Sequence, residues 1–406
     1  MKLKSAAAVT AATLGLCSLA QASGNQVTTL FQFDTMSGYA PGADLITDDV
    51  GTLYGTTTAG GTGTCNNGAG CGTVFALSPP AHGQTKWTFT KLYDFQGGTD
   101  GYSPTAPLTL GPAGELYGYT NTTTPGSVFR LLPPTGKGKT WQFDVVYVFR
   151  DASDGNLVGM NAPLMMNKLE VVGLAAGGRG DCNGGGCGSV FGLKELKDGT
   201  WSEETVHRFT GGSDNGLPNW LAAGGSKAPV VATTSLGHGA VVALTPPSLH
   251  GLQWEMKTIA VFKGGTDGEQ PTHLISDASG KLYGVASLPK GGKVFELTPP
   301  HGLFSTKWTL SNVAEIDDQG EGPVSISLGT PNTLIGAVEG NANHVAGEVF
   351  ELAYAGGKWS DTTLWDFSKG PDRNPLDILR GKAGAMYGVL QGGGASMGSI
   401  YELTAK

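Results

Sequence analysis

Charge is scarce in this chain. Asp, Glu, Lys and Arg make up 15% of 406 residues, and the acids outnumber the bases to give a net charge of −8. A sequence so poor in cations has no basic stripe with which to neutralise phosphates, which argues against nucleic acid and anionic lipid as partners. Apolar residues at helical spacing are missing beyond residue 22, as is any apolar run long enough to cross a bilayer as a helix. No membrane span is therefore expected. Cysteine is limited to five residues, and none of them forms a C-x2-C knuckle, so a zinc site is disfavoured. The glycine-rich loops do not run into a helix start with a following Lys-Ser/Thr, which removes the phosphate-cradle reading.

The N-terminus, MKLKSAAAVTAATLGLCSLAQASGNQ, has the form of an export signal. Lys2 and Lys4 precede a short apolar stretch, and Ala20-Gln21-Ala22 is a small-x-small cleavage site. Residues 1–22 are expected to be a signal peptide and 23–406 a single domain, exported to the periplasm or beyond the cell. In an oxidising compartment the remaining cysteines, Cys65, Cys71, Cys182 and Cys187, are expected to form disulfides.

What the sequence has in abundance is glycine, 66 residues of it, and a repeated phrase. VFAL at Val74 returns as VFRL at Val128, VFGL at Val190, VVAL at Val241, VFEL at Val294, VFEL at Val349 and IYEL at Ile400. An upstream companion precedes each one: LYGTT at Leu53, LYGYT at Leu116, VVGLA at Val171, VVATT at Val230, LYGVA at Leu282, LIGAV at Leu334 and MYGVL at Met386. A Trp-initiated run follows each of the first six, from Trp87 to Trp359, and a short apolar run such as THLIS leads into each unit. All four runs are β-branched or aromatic and bounded by turn formers, so they read as strands. Four strands at a period of roughly fifty residues give a β-propeller blade. The seventh unit lacks its Trp run, but Thr28–Phe33 (TTLFQF) matches TKLYDF in the first such run. The expectation is an all-β, seven-bladed β-propeller of four-stranded antiparallel blades, its ring closed by the N-terminal strand pairing into the last blade.

The repeat wording, LYGTT then Gly-Gly then GTVFAL, resembles the tandem repeat of the GloVer family of exported bacterial proteins. That resemblance spans nearly the whole chain after the leader. It implies a repeat architecture and no established activity, so it lends no catalytic residue. Members carry varied C-terminal surface anchors; none follows GSIYEL here, and a free exported protein is expected.

In a propeller the second-to-third and fourth-to-first connections emerge on one face. The cysteine loops are second-to-third connections. The fourth-to-first connections share a phrase, as in GGTDGYSP at Gly97, GGSDNGLP at Gly211 and GGTDGEQP at Gly264. Asp100, Asp154, Asp214, Asp267 and Asp372 would then recur around the channel mouth. Such a ring suits calcium or a polyhydroxylated ligand. Asp-Gly before Pro is also turn chemistry, and the clustered D-x-D-x-D spacing of a tight calcium loop is missing. No cofactor is therefore expected, with calcium the one ion left open. Tyr102, Trp220, His273 and Arg373 depart from the repeat near the same mouth and are candidates to bind a ligand. The expected function is a binding module for carbohydrate or a surface protein. A secreted polysaccharide lyase or glycosidase, with His273 as base, is the alternative.

Overall fold

The computed structural model describes residues 24–405 apart from 121–125, 137, 139, 150–161, 168–169, 178–180, 183–185, 225–229, 248–252, 302–306, 318–320, 341–345, 370–372, 382–383 and 393–396. Its strands form seven small antiparallel sheets, the blades of a β-propeller. Blade 1 runs outward from Tyr39–Pro41 and Ile46–Thr47 through Leu53–Ala59 and Thr73–Ser78 to Thr88–Asp94. The inner strands of blades 2 to 6 are Thr109–Leu110, Met165–Asn167, Pro218–Ala223, Glu269–Ser276 and Pro323–Leu328. Blade 7 comprises Leu379–Arg380, Met386–Leu390, Ser399–Thr404 and, outermost, Gln26–Gln32. The N-terminal strand therefore closes the ring, with Phe31 opposite Ile400 and Val27 opposite Leu403. Among the described residues no helix is long and apolar enough to cross a membrane.

Both apolar residues of each VF pair are needed because each blade is covered on both faces. The Val looks toward the following blade and the Phe toward the preceding one. Val74 packs with Leu108, Leu116 and Phe129 of blade 2, while Phe75 packs with Val389 and Ile400 of blade 7. The same division recurs around the ring, so that the seven apolar clusters are the seven interfaces between blades. A strand buried on both faces reads as a continuous apolar run instead of an alternating one.

Glycine in the second strand makes room for that Phe. Gly55 pairs with Phe75, Gly118 with Phe129, Gly173 with Phe191, Gly284 with Phe295, Gly336 with Phe350 and Gly388 with Tyr401. A Cβ on Gly284 would lie 2.5 Å from the Phe295 ring, well inside contact distance. Blade 4 is the exception that accounts for itself: Ala232 replaces the glycine, and its partner is the smaller Val242.

Cys65 is bonded to Cys71 and Cys182 to Cys187. Each bridge seats on the first glycine of a fourth-to-first connection: a Cβ on Gly97 would meet Cys65 Sγ at 2.1 Å, and one on Gly211 would meet Cys182 Sγ at 2.6 Å. In blade 4 the ring of His238 fills that seat, 2.8 Å from the same construction on Gly264. Second-to-third and fourth-to-first connections thus touch on one face of the ring.

Candidate functional site

Two of the loop aspartates, Asp100 and Asp214, are engaged by their own turns. Asp100 accepts hydrogen bonds from the N–H of Gln96 at 2.8 Å and of Gly98 at 3.1 Å, and from the Tyr93 hydroxyl at 3.1 Å. Asp214 accepts the N–H and hydroxyl of Thr210 at 2.9 and 2.8 Å. Asp267 lies in a single 3-10 turn, Gly265–Asp267. Tyr102 is half-buried against the Cys65–Cys71 cluster, and Arg373 is exposed. Asp154 and Asp372 lie outside the described residues. His273 and Trp220 are different: they stand on inner strands, and the strand pairing reveals what they have in common.

On each inner strand, or directly before it, stands one buried aliphatic residue: Leu45, Leu108, Leu164, Leu221, Leu274, Ile326 and Ile378, all 4% exposed or less. Leu221 pairs with Ala232 and Ile326 with Gly336; in the other blades the neighbouring pairs, continued by one residue, bring the aliphatic residue opposite the Gly of the second strand. The residue just before it is Asp44, Pro107, Pro163, Trp220, His273, Ser325 and Asp377 in blades 1 to 7. Four consecutive blades (5, 6, 7 and 1) therefore present His, Ser, Asp and Asp, while blades 2, 3 and 4 present Pro, Pro and Trp. Random drift of a repeat would scatter polar residues; here they form one contiguous arc.

Within the arc, His273 Nε2 lies 3.2 Å from Asp44 Oδ2. Its ring stacks on Trp220 with centroids 3.8 Å apart, and the Trp220 indole N–H donates to the Leu274 carbonyl at 3.2 Å. His273 is thus fixed on its face by one blade and at its edge by another. Its backbone is strained as well. Among the described residues nine non-glycine residues have positive φ; five directly precede a proline and three are Asn in turns. The ninth is His273, at φ 47°, inside a strand whose register is broken on both sides of Thr272. A bulky residue in the left-handed region has no local reason to be there, and a bulge re-aims a side chain. The buried Nδ1 of His273 and Oγ of Ser325 have no protein hydrogen-bond partner, a state that buried polar groups seldom keep.

Asp377 reaches the residue that follows Asp44. Its two carboxylate oxygens accept the N–H of Leu45 at 2.7 Å and of Val389 at 2.9 Å, which ties blade 7 to blade 1. Burial, and then the charge of Asp44, push its carboxyl well above the usual carboxylate range, against the pull of those two N–H groups. Glu339, at the end of Thr333–Glu339, is also raised, by burial and then by Glu321.

Of these groups Asp44, His273 and Glu339 open onto a cavity of about 210 Å3 in the channel, lined also by Thr105, Val324 and Leu376 among others. Most of the lining comes from the start of the inner strands, so the cavity lies at the end of the channel where the disulfide-bearing loops emerge. Asp44, Asp377 and Glu339 were not singled out from the sequence. GADLI and PLDIL carry the signal for the first two, once aligned with THLIS and PNWLA. Glu339 carries none, being one more polar residue at a strand end. No metal-holding group of three His, Cys, Asp or Glu occurs among the described residues.

No family model and no curated protein sequence matches the chain. Among solved structures it is similar to virginiamycin B lyase from Staphylococcus aureus, with 14% identity, coverage of 94% of this chain and 99% of that one, and a TM-score of 0.56. It is similar also to the Swd1 β-propeller domain from Myceliophteria thermophila, at 11% identity, 94% and 100% coverage and a TM-score of 0.55. The likeness is one of fold alone. A PQQ-bound aldose sugar dehydrogenase from Streptomyces coelicolor aligns more loosely, at 12% identity, 95% and 99% coverage and a TM-score of 0.46.

Proposed function

We propose that the chain is an exported carbohydrate-binding propeller whose ligand enters the channel mouth. The observation that carries this reading is the cavity lining: Asp44 and His273 of the polar arc face one cavity together with Glu339, His273 being held by a strained backbone and by stacking, beside the apolar Val324 and Leu376. Fixed donors and acceptors beside apolar walls suit a hydroxyl-rich ring. At about 210 Å3 the cavity is smaller than the ~300–1,000 Å3 typical of drug-sized ligands, so it takes a sugar unit or chain end instead of a stretch of polymer. Trp220, 5% exposed and covered by His273, supports the site from behind and is not the platform on which a sugar stacks. Export through a leader at 1–22, with 23–406 as the propeller, accords with the two disulfides. The repeat wording supports a place among the GloVer proteins.

One observation favours a second reading, a secreted carbohydrate-active enzyme: an imidazole oriented by a carboxylate is how a general base is held. Incubation with a panel of polysaccharides separates the two. The binding module is expected to be retarded in affinity gels without releasing reducing ends or unsaturated uronates. Product would establish the enzyme; neither retardation nor product would point to a structural envelope protein and remove the carbohydrate reading.

A further inference from the structure

Among the described residues that line the channel-mouth cavity, carboxyl groups outnumber basic groups. Asp44 and Glu339 line the cavity. No Lys or Arg is among the lining residues; the one basic group is the His273 imidazole, already turned to Asp44. The buried Lys293 of blade 5 donates its ammonium to the Thr266 carbonyl at 2.7 Å and is not among the lining residues. Arg373 is exposed on the loop leading into the inner strand of blade 7, outside the lining. The cavity also has a second, independent peculiarity: the buried Nδ1 of His273, one of its lining residues, has no protein hydrogen-bond partner.

The Glu339 carboxyl in the lining is held above its usual range by burial and then by the neighbouring charge of Glu321. An entering cation relieves that repulsion, a neutral ligand leaves it as it is, and an anion worsens it. We infer that the channel mouth selects a sugar carrying a free ammonium group, with Asp44 and Glu339 as the residues that read the charge. The inference rests on the carbohydrate reading and narrows it. It also opposes the eliminative cleavage of uronates, because an acidic substrate would enter a field of its own sign.

The experiment is calorimetric titration of the full exported chain, just below neutral pH, with three probes: a glucosamine tetramer, an N-acetylglucosamine tetramer and a galacturonic acid tetramer. The glucosamine tetramer should bind at least about tenfold tighter than its acetylated counterpart, the ratio equivalent to ~1.4 kcal/mol, and the uronate should bind weakest. Asp44→Asn and Glu339→Gln, which keep shape and hydrogen-bonding capacity, should each bring that ratio toward one. Folding of both variants is checked by their unfolding midpoints. Equal affinity for the amine and the acetamide, a preference for the uronate, or a ratio unmoved in folded variants would overturn the inference and leave the carbohydrate reading standing. Binding of none of the three, with none in the polysaccharide panel, would remove both.

Discussion

Gly284→Ala should lower the free energy of unfolding by about 2–3 kcal/mol, the range that overpacking costs in a close-packed core. The added methyl would sit 2.5 Å from the Phe295 ring and 3.0 Å from Leu274, and neither neighbour can yield without disturbing the interface with blade 4. The intrinsic preference of a strand for Ala over Gly returns only about 0.5–1 kcal/mol of this. Blade 4 supplies the compensating change, since Ala232 there faces Val242. Phe295→Val alone should also destabilise, by leaving a cavity. Together, Gly284→Ala and Phe295→Val should cost about 2 kcal/mol less than the sum of the two single changes, as contacting residues couple. Urea unfolding of the four proteins measures this. Additivity to within ~0.5 kcal/mol would show that the glycine is not there for the ring.

Asp377→Ala should cost about 3 kcal/mol, because it leaves the N–H groups of Leu45 and Val389 buried without acceptors, at ~1–3 kcal/mol each. Asp377→Asn keeps one acceptor and should cost less. The pH dependence provides a sharper distinction. Below the ordinary carboxylate pKa of ~4, Asp377 is protonated in both states and contributes nothing to the pH dependence. Above it, the unfolded chain releases the proton while the folded protein, whose carboxyl is raised, retains it. Stability contributed by this group therefore falls as pH rises, until the folded-state carboxyl ionises too. Asp377→Asn has no such proton, so the difference in stability between wild type and this variant should shift in the variant's favour as pH rises from acid toward neutral. A difference constant with pH would mean that Asp377 is not held protonated.

The ring was legible in the sequence because its physics is repeated. A blade buried on both faces must be written with paired apolar residues, and a shared core geometry writes LYG and VFxL again and again. Closure could be read too, since Thr28–Phe33 fits only the one vacant strand, and the chain pairs Gln26–Gln32 with Ser399–Thr404. The site was only half legible. His273 and Trp220 stood out as departures from a repeat, but the loop aspartates drew attention for a feature that turn chemistry explains: Asp100 and Asp214 are occupied by backbone and hydroxyl donors of their own turns. Asp44 and Asp377 lie 333 positions apart and meet only because the ring closes. Asp44 was further obscured because blade 1 breaks its inner strand into Tyr39–Pro41 and Ile46–Thr47, leaving the aspartate in the gap. Its one signal is the alignment of GADLI with THLIS, and only the closed ring brings it beside His273.

Whether that meeting point is the ligand site is tested most directly by amide hydrogen exchange with and without a saturating oligosaccharide that the chain binds. Added protection should fall on segments 42–45, 105–108, 270–274 and 375–378, the strand starts around the cavity, and leave the outer strands Thr88–Asp94 and Lys358–Asp366 unchanged. Protection confined to outer strands, or to loops on the opposite face, would place the ligand elsewhere and contradict the account.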